Sequence, residues 1–475
     1  MSRRALAAFV LLALTTGGLL LDRDRPAATA AVFGRPASAA TPIAAPPADA
    51  LSASWFCPGA PAAPGGSLTG TITVANFADR ERTGSITIFP SAGEPVTTPL
   101  TVPARKTTSV RLGDIVTSPY AATLVELERG DVSVEQTVTG PLGTDHAPCA
   151  TTASSSWFGA DGTTTLDATF TLFAFNPFPE TAVVDLGFLT DQGRRDPQAL
   201  QGLVIPGRSL QVFGVNDVVL RSVDVGVVAT ARSGRIVMGR LQRYDGTSGR
   251  KGTVSGVLAT SPGTEWWFPD GETGPNAREF IVLANPTDSD ASVRVEPYLD
   301  PSASPVDAIA TTVPAGAIVT VALSDVLPAG RHTLIVRSLN GTPVVAERRI
   351  DNTDPARTGT SAVLGARLLA THWSLAAGES LATVNEEIVV ANPTGTTVTV
   401  TVATLGTTGA IPVPGFDNVA LAAGETLRVT LGGNVLAGPT PVVVDASAPV
   451  VVERVVIATD LPTVARSIAI PTLDG

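Results

Sequence analysis

Four short segments of the chain carry a long polar side chain on an otherwise apolar strand face. Period-two alternation, which is typical of a β-strand, groups each polar residue with apolar residues two and four positions before it; the four polar residues are Gln136, Arg240, Arg348 and Arg454. An arginine on an apolar face needs a paired guanidinium group or a path to the sheet edge. The pattern predicts either a ligand-facing arginine or an internal structural one, and its repetition favours the structural interpretation.

Each of these arginines has two candidate partners in the sequence. A tryptophan opens each repeated unit and can stack on a guanidinium group. A glutamate stands directly before the polar residue in three segments, at Glu135, Glu347 and Glu453. Neighbouring residues of a strand point to opposite faces, however, which argues against a bond between a glutamate and the arginine beside it. Both partners stay open at this point.

The tryptophans are the second set of residues that could bind a ligand. Trp55, Trp157, Trp266 and Trp373 follow one another at intervals of 102, 109 and 107 residues, and Trp267 stands beside Trp266. An exposed tryptophan is typical of a sugar-stacking or interface residue. Since adjacent strand residues face opposite sides, we expect one of the adjacent pair in a core and the other under a contact between domains. Exposure to a ligand is the alternative.

Other residues that could bind a metal ion or act in catalysis are scattered along the chain. Two acidic pairs in one repeat form a weak calcium candidate, because carboxylates in turns usually bind backbone amides; the pairs are Asp270 with Glu272 and Asp288 with Asp290. The three histidines, at positions 146, 332 and 372, lie in three different repeats. The chain holds no Gly-x-Ser-x-Gly, His-Glu-x-x-His or phosphate-loop motif. We therefore predict no catalytic residues, no metal site and no cofactor.

The two cysteines of the chain, Cys57 and Cys149, stand at the beginning and end of the first repeat. The first and last strands of a β-sandwich come together, so the spacing predicts a disulfide. Closing a loop of this length is worth about 4–5 kcal/mol in the chain-entropy model. Disulfides persist outside the cytoplasm, so the prediction implies an extracytoplasmic protein.

Composition narrows the possible partners. Lys and Arg total 32 against 43 Asp and Glu, which leaves a net charge of -11, and charged residues make up only 16% of the chain. Binding to nucleic acid needs a basic cluster that neutralises phosphates, and none is visible. Nucleic acid is therefore excluded as an expected partner.

The N-terminal segment has the pattern of an export signal. Two arginines precede an apolar run at positions 5–21, which is at the lower edge of the length that spans a membrane. Residues 1–21 are predicted to be a helical signal peptide or an uncleaved signal anchor, which would give a membrane contact. Residues 22–50 are rich in Ala and Pro and are predicted to be a disordered spacer.

A thirteen-residue pattern recurs four times and organises the rest of the chain. It reads as a turn followed by an alternating strand; the four copies are Val102–Asp114, Ile205–Asp217, Val313–Asp325 and Leu421–Gly433. A strand that ends in Asn comes before each copy, and in three repeats Pro follows the Asn. Because Asn caps its own turn and Pro ends a ladder, we interpret this segment as a hairpin between two strands.

Short strands rich in Val, Ile and Thr, separated by Gly and Pro turns, are typical of a β-sandwich. We predict an all-β chain of four tandem immunoglobulin-like β-sandwich domains after the N-terminal apolar helix and the spacer. The predicted domains, called repeats 1 to 4 below, are 51–151, 152–260, 261–366 and 367–475. Short linkers between them predict a rod or an arc.

Several motifs resemble an uncharacterised family, a domain of unknown function in exported actinobacterial proteins with tandem β-sandwich repeats. They are the opening Ser52–Pro58, the strand Val282–Pro286 and the strand Ala346–Arg348. The resemblance implies an exported protein and supplies no catalytic residues. The opening of repeat 4 lacks the Phe, and repeats 2 and 4 lack the Cys-Pro, of this motif.

These features predict a non-enzymatic, exported scaffold or protein-interaction protein of the cell envelope, secreted or anchored to the outer face of the cytoplasmic membrane. Its expected partner is an envelope protein. The first alternative is a protein that binds cell-wall glycan through exposed tryptophans. The second is an envelope hydrolase, which would need a concave pocket with converging acidic groups in one repeat.

Overall fold

Alternating β-branched residues form the strands of this protein, as their fit to a pleated surface requires. The computed structural model describes residues 41–300, 304–378, 383–431 and 440–472. The predicted signal or anchor at 1–21, and the spacer as far as residue 40, lie outside these residues. Within the described ranges, no helix is long and apolar enough to cross a membrane.

The strands of repeats 1 and 2 are numbered β1 to β17 in chain order. Repeat 1 contains β1 (Ser52–Ala62), β2 (Thr69–Asn76), β3 (Arg82–Pro90), β4 (Val96–Val102), β5 (Thr107–Arg111), β6 (Ser118–Glu128), β7 (Val132–Gly140) and β8 (Gly143–Pro148). Repeat 2 contains β9 (Ser156–Gly159), β10 (Ala168–Asn176), β11 (Ala182–Thr190), β12 (Gly193–Arg195), β13 (Leu203–Ile205), β14 (Ser209–Gly214), β15 (Gly226–Ser233), β16 (Val237–Asp245) and β17 (Lys251–Val257).

The strands of repeats 3 and 4 continue the numbering to β35. Repeat 3 contains β18 (Glu265–Thr273), β19 (Ala277–Ala284), β20 (Ala291–Leu299), β21 (Ser304–Pro305), β22 (Ile309–Val313), β23 (Ile318–Ala322), β24 (Gly330–Ser338), β25 (Val345–Asn352) and β26 (Gly359–Leu364). Repeat 4 contains β27 (Ala370–Leu375), β28 (Val384–Ala391), β29 (Val398–Gly406), β30 (Gly409–Pro412), β31 (Val419–Leu421), β32 (Thr426–Thr430), β33 (Val442–Ala458), β34 (Thr463–Ile468) and β35 (Ile470–Pro471). Short 3₁₀ turns cover Leu112–Asp114, Gln198–Leu200, Val215–Asp217 and Leu323–Asp325.

Each repeat folds into two antiparallel sheets. In repeat 1 the strand orders are β1-β6-β3-β4 and β5-β2-β7-β8, and repeats 2 and 3 have equivalent orders. In repeat 4 one long strand, β33, pairs with β27 and β29 through its first half and with β28 and β34 through its second half. The predicted fold class, an all-β chain of four tandem sandwich units, is confirmed.

The Asn at the end of the second strand of each repeat forms a corner between the two sheets. Asn285 donates from Nδ2 to the carbonyls of Ser289 (2.8 Å) and Val313 (2.9 Å), and its Oδ1 accepts from the Thr287 amide (3.0 Å). Equivalent bonds surround Asn76, Asn176 and Asn392. The predicted Asn cap is therefore present.

The predicted hairpin at this corner is wrong. The strands on either side of the Asn, such as β19 and β20, belong to different sheets. The Asn amide group also donates to the last carbonyl of a later strand in the same repeat, for example Val313 at the end of β22. A bond to a distant carbonyl holds the chain in a crossover between sheets, and a local turn motif does not reveal it.

The four repeats close into a ring. One strand near the end of each repeat stands at a common axis. These strands are β8, β17, β26 and β34, and each contacts the next in cyclic order: β8 with β17, β17 with β26, β26 with β34, and β34 with β8. We name the contacts between repeats seam 1/2, seam 2/3, seam 3/4 and seam 4/1. The predicted rod or arc is therefore replaced by a closed ring, because every repeat offers a matching edge on both sides.

Small residues close one end of the ring axis. A Cβ added at Gly252 of β17 would lie within 3 Å of the Thr360 backbone of β26, and one added at Gly359 would overlap the Val464 backbone of β34. At seam 4/1 the Thr144 amide donates to the Thr463 hydroxyl at 2.9 Å. Backbones approach closely here because these positions lack side chains.

The beginning and end of the described chain meet at seam 4/1. The Ala45 amide donates to the Pro471 carbonyl (2.8 Å), and the Thr151 amide donates to the Pro42 carbonyl (2.8 Å). Ala44 and Ala45 are buried. Residues 42–45 were expected in the disordered spacer; they are ordered because backbone hydrogen bonds to repeats 1 and 4 fix them.

Repeats 1 and 2 share one contiguous apolar core, while repeats 3 and 4 each have a separate main core. Cys57 in β1 and Cys149 after β8 form a disulfide that closes repeat 1. The predicted disulfide is confirmed.

Candidate functional site

The arginines of β16, β25 and β33 pair with the repeat that follows. Arg240 of β16 binds Glu347 of repeat 3, Arg348 of β25 binds Glu453 of repeat 4, and Arg454 of β33 binds Glu135 of repeat 1 at 3.0 Å. All six side chains are almost fully buried. Since adjacent strand residues face apart, one strand uses its Glu toward the preceding repeat and its Arg toward the next.

Each of these glutamates also holds the opening strand of the preceding repeat. The Glu347 carboxylate accepts from the Ala160 amide (2.9 Å), Glu453 accepts from the Asp270 amide (3.0 Å), and Glu135 accepts from the Ala377 amide (2.7 Å). Two of the arginines donate to carbonyls of the same segments, Arg240 to Asp161 and Arg454 to Ala377. The ion pairs are thus embedded in backbone bonds, as buried charges require.

Electrostatics keep Arg240 and Arg348 charged despite their burial. Burial opposes the charged form of Arg348, but the carboxylates of Glu453, Glu279 and Asp270 outweigh it and raise its pKa. The pKa of Arg240 is raised in the same way, burial being outweighed by Glu347 and Asp161. Burial raises the pKa of Glu453, and Arg348 acts against this rise. Arg240, Arg348 and Arg454 therefore join repeats, and their guanidinium groups are engaged within the protein.

Seam 1/2 lacks this pair. Gln136 stands where the arginine would be and donates to the Gly59 carbonyl of its own repeat at 2.9 Å. Gly239 of β16 stands where the glutamate would be, and a Cβ there would overlap the Pro58 ring of repeat 1. Both members of the pair are absent together, and Pro58 packs in the space that the glutamate would need.

The four opening tryptophans lie in the sandwich cores. Trp55, Trp157, Trp266 and Trp373 are at most 1% exposed, so they present no stacking face to a glycan. That part of the glycan-binding expectation is corrected, because the apolar rings fill the space between the two sheets. The indole N–H groups of Trp157 and Trp266 donate to the Ile236 and Val344 carbonyls, both at 2.9 Å, and hold the residue directly before β16 and β25, respectively.

The arginines do not stack on the opening tryptophans as one hypothesis had it. Arg348 lies over the Phe268 ring at 5.6 Å, two residues after Trp266. The Trp266 ring is instead covered by Arg367 at 5.2 Å.

Trp267 is the one opening-strand tryptophan outside a core. It is half-buried and packs against the core of repeat 4, and its amide donates to the Ala366 carbonyl at 3.0 Å. It therefore lies under a contact between repeats.

Asp270 is the centre of a charge cluster at seam 3/4. Its carboxylate accepts from Arg331 (2.8 Å), Arg428 (2.5 Å) and Arg466 (2.8 Å). Burial favours the protonated acid, but the three arginines outweigh it and hold the pKa of Asp270 well below its usual range. Sequence reasoning missed Arg428 and Arg466, because both come from a different repeat than Asp270.

The calcium candidate is not assembled. Asp270 is turned to these arginines, while Asp290 accepts the Ala315 amide at 2.9 Å. Among the described residues, no group of three or more His, Cys, Asp or Glu side chains is placed to hold a metal ion. The histidines are also apart: His146 contacts Thr137, His332 contacts Glu279, and His372 contacts Asp445.

A central cavity opens on the ring axis, at the end away from the close-packed glycines. Its volume is about 80 Å³, and the lining is formed mainly by β8, β17, β26 and β34, with Ile43 and Trp373 among the apolar residues. At roughly 30 Å³ per water molecule, it admits only a few waters. No carboxylate lines it, so it does not offer the converging acids that the hydrolase alternative requires.

Comparisons with known proteins give a family of unknown function and a set of distant structures. Residues 239–464, from β16 of repeat 2 to β34 of repeat 4, match the family described as "Family of unknown function (DUF5719)". This confirms the unknown-function part of the resemblance for these residues and bears on neither source nor export. No curated protein matches the chain.

Three solved structures resemble parts of the chain. The crystal structure of Thermotoga maritima 1070 is 17% identical, covers 22% of this chain and 95% of its own, and has a TM-score of 0.21. The Anabaena sensory rhodopsin transducer is 25% identical, with 18% and 94% covered and a TM-score of 0.17. A tetra-tandem repeat in the extending region of a large adhesion protein is 13% identical, with 84% and 94% covered and a TM-score of 0.10. Similarities this low carry no conclusion about function.

Proposed function

We propose that this protein is a non-enzymatic, extracytoplasmic scaffold of the cell envelope that binds other envelope proteins. The observation that carries the proposal is the use of its buried charges. The strongest candidates for a ligand-binding role in the sequence join one repeat to the next; they are Arg240, Arg348 and Arg454. A ring with several outward faces suits a platform for partners.

The disulfide supports an extracytoplasmic location, because such bonds persist in oxidising compartments. Export through the N-terminal segment, with cleavage or with anchoring to the outer face of the membrane, is part of the same proposal. The glycan-binding alternative depended on a row of exposed tryptophans, and the four opening tryptophans are buried.

The test is chemical cross-linking of intact producing cells, followed by affinity purification of the full-length chain under oxidising conditions. We expect one or a few envelope proteins at near-stoichiometric yield. In parallel, the purified chain is titrated with cell-wall glycan. Saturable glycan binding without a protein partner would replace the scaffold by the glycan-binding alternative, and release of glycan fragments would favour the hydrolase.

A further inference from the structure

At seams 1/2, 2/3 and 3/4, the outer face of the first sheet of one repeat meets the Asn corner of the next repeat. At seam 1/2 this contact is filled by aromatic residues. The rings of Phe89 from repeat 1 and Phe175 from repeat 2 have centroids 4.9 Å apart, and the Arg208 guanidinium lies over Phe89 at 5.5 Å. The Phe89 ring is thus covered by a ring and by a cation from the next repeat.

The same three positions can be identified at seam 3/4 from the strand register. Phe89 and Tyr298 occupy equivalent positions in their repeats. Each pairs with the residue that lies three positions before the strand partner of the opening tryptophan, which is Trp55 for Phe89 and Trp266 for Tyr298. Phe175 stands directly before its corner Asn, and Ala391 does so in repeat 4. Arg208 and Gly424 occupy the same left-handed turn position, at φ 55° and 76°.

Seam 3/4 therefore keeps the receiving ring, Tyr298, but lacks the ring and the cation that would cover it. Ala391 and Gly424 leave a cleft of about 270 Å³. Its walls are Tyr298, Thr333, Ile335 and Arg337 on one side and the corner Asn392–Gly395 on the other. Tyr298 is half-buried. This volume is below the usual range for a drug-sized ligand and suits a single side chain.

Seam 2/3 shows that small residues at the corner do not by themselves make a cleft. There Leu189 stands in the position of Tyr298 and faces Ala284. Leu189 is only 1% exposed, so the contact is closed. Of seams 1/2, 2/3 and 3/4, only seam 3/4 places a large ring opposite an Ala and a Gly.

Ion pairs lie beside the cleft, and the protein as a whole carries a net negative charge. Arg337 is shared between two carboxylates, with Nε 2.8 Å from Glu265 and Nη1 2.5 Å from Glu296. Arg294 also pairs with Glu296, at 3.5 Å, so these two cations balance the two carboxylates, in a protein whose net charge is -11. The net charge of the protein favours a cation on an incoming group and disfavours an anion.

We propose that this cleft binds an aromatic side chain of a partner protein that has a lysine or arginine close to it, the pair that Phe175 and Arg208 supply internally at seam 1/2. The proposal rests on the proposed function as an interaction scaffold and names the chemistry of its partner. Stacking on Tyr298 orients the ring, and the net negative charge of the protein attracts the cation. A short peptide that offers only this anchor binds weakly, with a dissociation constant on the order of 1 mM.

The probe is the peptide acetyl-Ala-Phe-Arg-Ala-amide, titrated into the full-length protein and followed by ligand-detected NMR. The variants are Tyr298→Ala, which removes the receiving ring, and Ala391→Phe, which places a ring in the cleft from within. Val204→Ala, at an exposed residue of β13 in repeat 2, is the matched control. We expect at least a tenfold loss of binding in both variants, none in the control, and no binding of the peptide with Ala in place of Phe.

Equal binding of the peptide to the unmodified protein and to Tyr298→Ala would overturn the proposal. If Ala391→Phe does not fold, as judged by its melting curve, Tyr298→Ala decides alone. A chitin oligosaccharide is the second probe: if it, and not the peptide, binds and is lost in the variants, the cleft is a glycan site and the proposal fails. Recovery of the same cross-linked partners with Tyr298→Ala would contradict the cleft as their binding site but would leave the proposed scaffold function intact.

Discussion

Seam 1/2 and the three other seams solve one geometric problem in two ways. At seams 2/3, 3/4 and 4/1, a buried arginine of one repeat binds a buried glutamate of the next. At seam 1/2 that pair is absent; the rings of Phe89 and Phe175, and those of Tyr120 and Phe173, pack across the contact instead. Repeats 1 and 2 share a single apolar core as a result.

The difference teaches what a buried ion pair does in this ring. An apolar contact can replace such a pair at no loss of stability, or with a gain, because the desolvation of two charges is avoided. Removal of one partner alone leaves an unpaired buried charge. The joint absence of Arg at position 136 and Glu at position 239 is therefore the substitution that physics permits, and it shows that the ion pairs are not required for the ring to close.

The largest effect is expected from the covalent bond behind seam 1/2. Replacement of Cys57 and Cys149 by Ser opens a loop whose ends are 92 residues apart; the chain-entropy model gives a loss of about 4–5 kcal/mol. Because repeats 1 and 2 share a core, both should lose protection together in hydrogen-exchange mass spectrometry. Dithiothreitol should reproduce the result, since these are the only cysteines. Loss confined to repeat 1 would contradict the shared core.

The ion-paired seams should respond to removal of one charge. Arg348→Ala leaves Glu453 buried and unpaired at seam 3/4, and we expect a loss of about 3–5 kcal/mol in the free energy of unfolding. Urea denaturation measures it. The control is Arg232→Ala, at an exposed pair with Asp185, where no measurable change is expected. A double variant, Arg348→Met with Glu453→Leu, should recover most of the loss; if it does not, the comparison with seam 1/2 fails.

A part of this arrangement could be predicted from the sequence. Alternation placed Arg348 on an apolar face, the spacing of Cys57 and Cys149 predicted their bond, and the Asn before each corner predicted its own cap. Those inferences depend on residues that are close in sequence or in one repeat. The Asn corner was misread as a hairpin because Asn285 also binds Val313, 28 residues away.

Ring closure could not be predicted, because it depends on contacts between repeats. A signal was nevertheless present: the segments read Glu-Gln, Gly-Arg, Glu-Arg and Glu-Arg at positions 135, 239, 347 and 453. The Arg is missing in repeat 1 and the Glu in repeat 2, as a bond from each repeat to the next would require. Arg428 and Arg466 gave no such signal, since their partner Asp270 has no counterpart with the same partners in the other repeats.

Asp145 tests whether seam 1/2 is free of buried charge. It is buried in β8, and its Oδ2 accepts from the amide (2.5 Å) and the hydroxyl (3.1 Å) of Ser255 in repeat 2. Burial raises its pKa to about 7, against the hydrogen bonds from Ser255. The neighbouring His146 has a pKa well below its usual value because of burial, and Arg454 is the cation that faces both.

A raised pKa means that the folded protein binds the proton more tightly than the unfolded chain. The stabilisation is complete below about pH 4 and is lost as the pH rises to about 7. Asp145→Asn should remove this loss, so the variant should exceed the unmodified protein by up to about 4 kcal/mol at pH 8 and by nothing at pH 4. Denaturation at several pH values measures the difference. A pH-independent difference would mean that Asp145 stays ionised and that seam 1/2 carries a buried charge after all.

The smallest effect is expected from one methyl group at seam 1/2. Gly239→Ala adds a Cβ that would overlap the Pro58 ring, and overpacking of this kind costs about 1–3 kcal/mol. The control is Gly274→Ala, where an added Cβ meets no atom within 4 Å. Thermal unfolding compares the two. If Gly239→Ala does not change the melting temperature, the Pro58 ring can move aside at little cost. The packing of Pro58 would then not explain why the glutamate is missing. If Gly239→Ala is destabilising, the packing of Pro58 is what excludes the ion pair from this seam.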